Sequence, residues 1–125
     1  MSRPSPSPVA PRPMALHVRG RNVPLHPALV RLAQRRVTTA LKQARPDVRR
    51  VDVRLVDLNG PRGGVDQRCR IALEVAGHGS TIVAEATDER IEVAIDRAAD
   101  RAARQVQQYR RRREGPRRPR HRRAS

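Results

Sequence analysis

Apolar positions alternate with polar ones in four short segments of this chain and recur every three to four residues in two others. Leu16 and Val18 alternate with His17 and Arg19 as far as Gly20, a period of two that predicts a first strand with an apolar inner face. Pro24 and Pro27 punctuate the entry to the next element. Leu29, Leu32, Ala33, Val37, Ala40, Leu41 and Ala44 fall at i, i+3, i+4 spacing, which predicts an amphipathic helix that Pro46 ends. Val51, Val53 and Leu55 alternate with Asp52 and Arg54, and Cys69, Ile71, Leu73 and Val75 alternate with Arg70 and Glu74. These are a second and a third strand, joined through Asn59-Gly60-Pro61-Arg62-Gly63-Gly64, a turn rich in residues that tolerate positive φ. Gly77-His78-Gly79 makes the next hairpin, into a fourth strand from Thr81 to Ala86. Thr87 is placed to cap a second helix, with Asp88 and Glu89 in a first turn whose dipole favours negative charge. Ile91, Ala94, Ile95, Ala98, Ala102, Val106 and Tyr109 hold one face of that helix over about five turns.

The predicted order is therefore β-α-β-β-β-α, an α+β fold. A helical crossover makes the first two strands parallel if they are neighbours, and the later strands form a meander. Both helices then pack on one face of a four-stranded sheet. With 125 residues the chain has room for one core. Residues 1–13 hold Pro4, Pro6 and Pro8 alternating with Ser5 and Ser7 and are expected to be a disordered leader. Residues 14–112 are expected to form the folded unit. Residues 113–125, arginine-rich with almost nothing apolar to bury, are expected to be a disordered basic tail.

Charge sharpens this picture. Lys plus Arg number 28 against 12 Asp plus Glu, a formal net charge of +16, and Lys42 is the only lysine. Such an excess implies a polyanionic partner, and arginine's planar fork, which grips phosphate bidentately, suits nucleic acid. A genome rich in G and C would account for arginine over lysine but not for the excess itself. Tyr109 is the only aromatic residue, so platforms for stacking bases cannot be built, and contact must run mainly through phosphates. The lone Cys69 permits no intramolecular disulfide and reads as a small buried hydrophobe. No stretch approaches the roughly 18 apolar residues of a membrane span, nor is there a signal-peptide pattern, so a cytoplasmic protein without a membrane partner is expected.

The first 46 residues carry no acidic side chain. On the first helix Arg31, Arg35 and Lys42, with Arg45, gather on the pole opposite the apolar stripe. On the second, Arg90, Arg97, Arg101 and Arg104 share one flank while Glu92, Asp96 and Asp100 lie toward the other. Taken singly, such arginines are usually a solvated face that complements the helix dipole. Their segregation argues otherwise, because like charges four apart cost about 0.2–0.5 kcal/mol where interleaved signs would stabilise. The two stripes are expected to border a common groove able to lie along a phosphate backbone. Arg62, at the tip of the glycine-rich turn, is a further candidate for a phosphate contact, although that turn lacks the GK[ST] of a nucleotide-binding loop. His17, His26, His78 and His121 share no ligand spacing, and no nucleophile, acid/base pair or metal set can be assembled. Neither an enzyme nor a cofactor, metal or small-molecule substrate is expected.

Three segments, taken in order, carry a resemblance: Arg19-Gly20-Arg21-Asn22-Val23, the Asn59 to Gly64 turn, and Val93-Ala94-Ile95-Asp96-Arg97-Ala98 followed by Arg104-Gln105. From about Met14 to Arg112 the chain resembles the ribosome hibernation factors, also called ribosome-associated inhibitors. The resemblance implies a domain that binds the small (30S) ribosomal subunit and its 16S-type ribosomal RNA between head and body, where messenger RNA and the anticodons would lie, and so stops translation. The basic helix positions that the family uses carry over to Arg31, Arg35, Lys42, Arg97, Arg101 and Arg104. Arg90, Arg62 and Arg21 complete the expected RNA-binding set. Val93 stands where the family commonly has an aromatic residue. A monomeric, short-form member without the second, dimerising domain of long members is expected. The alternative from another class is a packaging or chaperone protein that coats nucleic acid without a defined site.

Overall fold

The computed structural model describes residues 15–42, 48–59, 66–76 and 81–114. Six elements run in the order β1 (Ala15–Arg21), α1 (Pro27–Ala40), β2 (Val48–Asp57), β3 (Gln67–Val75), β4 (Ile82–Asp88) and α2 (Ile91–Glu114). The sheet order is β1-β2-β3-β4, with β1 parallel to β2 and the remaining pairs antiparallel. This is the α+β arrangement that the periodicity predicts, and the parallel first pair results from the helical crossover between them.

Register sorts the strand residues onto two faces. Leu16, Val51, Leu73 and Ile82 lie side by side across the sheet, as do Val18, Val53, Ile71 and Ala84, and both rows turn toward the helices. Leu29, Ala33, Val37 and Leu41 of α1 and Ala94, Ile95, Ala98, Ala102 and Val106 of α2 complete the core. Alanine dominates the buried face of α2, which lets its backbone approach β3 and β4 closely. At β2 the register shifts between Val48 and Arg50, a bulge that exposes both Arg49 and Arg50 while returning Val51 to the core.

Gly20 does not end β1. It continues the strand on the helix-facing side, where an added Cβ would lie 2.8 Å from both the Leu25 side chain and the Val23 carbonyl oxygen. The chain folds back over it because Asn22 adopts a left-handed φ of 60°, a conformation that asparagine tolerates better than most residues. The Gly20-Arg21-Asn22-Val23 segment is thus a structural turn that brings Leu25 down onto the core.

Three local expectations change. Helix α1 stops at Ala40, and Lys42 lies in the short turn beyond it, while Ala44, Arg45 and Pro46 fall outside the described residues. Thr87 is a residue of β4 rather than a cap. Asp88, the last residue of β4, instead accepts the Arg90 N–H through its Oδ2 at 3.0 Å just ahead of α2, and the Arg90 carbonyl accepts the Val93 and Ala94 N–H groups. Helix α2 runs past Tyr109 to Glu114. The glycines of both hairpins, the leader and residues 115–125 lie outside the described residues.

Candidate nucleic-acid interface

Arg31 and Arg35 of α1 and Lys42 in the turn after it all stand exposed, and none takes an ion pair among the described residues. No acid is available within α1 to neutralise them.

Helix α2 is different. Its acidic flank faces α1, where Arg36 pairs with Asp96 across the interhelical valley, and Arg35, Thr39, Ala99 and Asp100 line the same depression. The arginine flank looks the other way, along β4. The expectation that the two arginine stripes border one groove is therefore overturned, since the valley between the helices carries both signs. The stripes form two separate basic ridges with that valley between them. The cause is rotational: α2 buries Ala98, Ala102 and Val106, which sets its acids and its arginines on opposite flanks, and the acidic one meets Arg36.

The α2 arginines also have protein partners. Arg101 Nη1 donates to the Glu85 carbonyl, and Gln105 Nε2 donates to the Val83 carbonyl at 3.1 Å. These are outward-pointing carbonyls of β4, an edge strand, so the two side chains cover groups that would otherwise offer pairing to another strand. Arg97 Nη1 lies 3.6 Å from Asp88 Oδ1, and Arg90 Nε lies 3.9 Å from Glu92 Oε1. Arg97 keeps 59 % of its side chain exposed, so this ion pair is worth roughly 0–1 kcal/mol. Arg104 is exposed and has no such partner among the described residues. Part of the segregation that points to RNA is thus explained within the fold: Arg97 and Arg101 repel along the helix, yet each gains its own acceptor on β4. Those bonds also hold the two guanidiniums in place along that edge.

Arg21 is exposed at the end of β1, away from both ridges, and Arg62 lies outside the described residues. Arg36 was missed as a functional residue because a lone arginine between Arg35 and Val37 carries no signal of its cross-helix acid. Cys69 is fully buried in β3, and burial pushes its thiol up to about 12, so it stays neutral and inert. Among the described residues no three His, Cys, Asp or Glu side chains gather as a metal site would need, and no helix is long and apolar enough to cross a membrane.

Fold and charge together define a small α+β domain with two arginine ridges on its helical side. Residues 16–114 match the family described as sigma 54 modulation protein / S30EA ribosomal protein, and the chain belongs to that family. It is the ribosome-associated hibernation-factor family that the sequence motifs resemble. Among solved structures, a ribosomal subunit interface protein from Coxiella burnetii shares the fold with a TM-score of 0.67 at 18 % identity, over 78 % of this chain and 98 % of that one. The N-terminal domain of Protein Y from Thermus thermophilus matches with a TM-score of 0.63 at 22 % identity, over 77 % of this chain and 99 % of that one. At these identities the likeness is one of fold. Among curated proteins none matches the chain significantly.

Proposed function

We propose that the domain binds the small ribosomal subunit through its ribosomal RNA, occupies the decoding region that messenger RNA and the anticodons need, and so holds translation off while it stays. The observation that carries this reading is the set of exposed cations formed by Arg31 and Arg35 on α1 and Lys42 just beyond it, none with an ion pair among the described residues. A fold under no demand from a partner has no use for such a set, and the neighbouring Asp96 of α2 is paired with Arg36. The positioned guanidiniums of Arg97 and Arg101 and the open one of Arg104 supply a second line of contacts. Arg90 extends the second line, and Arg21 and Arg62 are further proposed contacts apart from it. Family membership names the ribosome as the polyanion, and a cytoplasmic location goes with that partner. The chain acts as a monomeric binding protein rather than an enzyme. The leader and the tail add charge without a site of their own.

Peptide synthesis on purified ribosomes, titrated with the full chain and paired with chemical footprinting of small-subunit RNA, tests the reading. Inhibition with protection near the decoding centre is expected. A footprint elsewhere refutes the location, and equal affinity for ribosomes, DNA and unrelated RNA turns the assignment to a packaging protein.

A further inference from the structure

Among the described residues no element packs on the face of the sheet turned away from the helices. Register places Arg19, Arg54, Arg70 and Glu85 side by side across all four strands. Arg21 and Arg68 belong to the next row on the same face. Neighbouring strands lie about 4.8 Å apart, so three guanidinium stems rise in direct succession from adjacent strands. Like charges directly opposite one another destabilise a sheet, and only part of this row is neutralised. Glu85 pairs with Arg70 at 3.5 Å, and Asp52 accepts from Arg50 at 3.2 Å. Arg19 and Arg54 have no ion pair among the described residues, and the buried Nε of Arg68 and Oδ1 of Asp52 find no hydrogen-bond partner there. Arg19, Arg54 and Arg70 also help to line a depression of about 440 Å³ on this face.

We propose that this open sheet face is a second phosphate-binding surface, so that one domain holds two RNA segments, one on the helical side and one on the sheet. The proposal rests on the reading that the partner is RNA, and it adds a site on the side of the molecule opposite to α1. Charge complementarity selects the occupant. The face offers small side chains such as Ala72 and Val83 between its arginines and no aromatic anchor, whereas protein interfaces take their affinity from buried aromatic and arginine anchors in pockets. A phosphate backbone needs only donors and positive charge. Without aromatic residues the face does not read bases by stacking them on rings, so it grips the backbone irrespective of sequence.

Two short single-stranded RNAs, one labelled with a fluorescence donor and one with an acceptor, test this with the full chain. Energy transfer is expected to peak near one protein per two strands and to disappear in excess protein, where each strand finds its own chain. In Arg19→Gln/Arg54→Gln the transfer should weaken roughly 100-fold, the equivalent of two charge-assisted contacts, while binding of one strand and inhibition of translation by the helical side persist. Arg19→Lys/Arg54→Lys, which keeps the charge, should retain most of the transfer. Unchanged transfer in the Gln pair overturns the second surface, as does stronger competition there by polyglutamate than by RNA, which would assign the face to an acidic protein. Failure of the helix-side reading looks different: Arg31→Gln/Arg35→Gln would then inhibit translation like the unaltered chain, whatever the sheet variants do.

Discussion

The two helices carry the same kind of pattern and use it differently. Each is amphipathic, each buries its apolar stripe against one sheet, and each shows cations away from that stripe. On α1 Arg31 and Arg35 reach no ion-pair partner among the described residues. On α2 Arg97 and Arg101 are tied to Asp88 and to the Glu85 carbonyl of the β4 edge. A stripe of like charge is thus not one physical object. On α1 it stands without an ion-pair partner among the described residues, and on α2 it is tied to the edge strand.

The largest effect expected on the molecule as a whole is that of salt. If both ridges together neutralise on the order of six to ten phosphates, affinity for ribosomes should fall about 10³- to 10⁵-fold between 50 and 200 mM salt. A flat response, measured by co-sedimentation, would break the comparison at its root by removing phosphate from both ridges. Next, Arg31→Gln/Arg35→Gln removes two charge-assisted contacts at roughly 1.5–3 kcal/mol each, about 10²–10⁴ in affinity. Its thermal melting should not move, because no intramolecular bond is lost.

Arg97→Gln/Arg101→Gln separates the helices most directly. Its affinity should fall over the same range, but stability should fall as well. Loss of the Arg101 bond to β4 and of the surface ion pair outweighs the relieved repulsion by about 1 kcal/mol, or roughly 4–8 °C in melting midpoint. Melting unchanged alongside lost binding would show that the β4 contacts contribute nothing, and that both helices are equally reserved for the ligand. The smallest effect concerns the edge alone. Gln105→Ala leaves every charge in place, so ribosome binding should hold, while about 0.5–1.5 kcal/mol of stability is lost with the Val83 hydrogen bond. A drop in inhibition at constant charge would move Gln105 from the fold to the interface.

Much of the architecture is written in periodicity. The alternation at Val51, Val53 and Leu55 and at Cys69, Ile71 and Leu73 marks the buried phase of β2 and β3, and the spacing from Ile91 to Val106 marks that of α2. The order of elements then leaves little freedom in the topology. Helix ends are less legible. Thr87 has the chemistry of a cap, but strand pairing with Arg68 and Gln67 outlasts the apolar alternation and carries β4 through Thr87 to Asp88, whose carboxylate then accepts the Arg90 N–H ahead of α2. The polar phase of the strands was legible too. Arg19, Arg54 and Arg70 can be read off as outward-facing, yet nothing in their spacing says that they stand in one row.

That division has a physical origin. Periodicity reports the direction of each side chain around the axis of its own element, a local property fixed by 3.6 residues per helical turn or two per strand repeat. Periodicity therefore specified the elements, their apolar faces and the cationic stripes, and a parallel start to the sheet on condition that its first two strands are neighbours, which they are. Which stripe meets which neighbour depends on the rotation and register of docked elements, and those are set by packing: the alanine face of α2 on β3 and β4, and the bulge between Val48 and Arg50. Tertiary structure alone turned Asp96 toward Arg36, laid Arg101 on the β4 edge, and aligned three arginines from three strands on the open face.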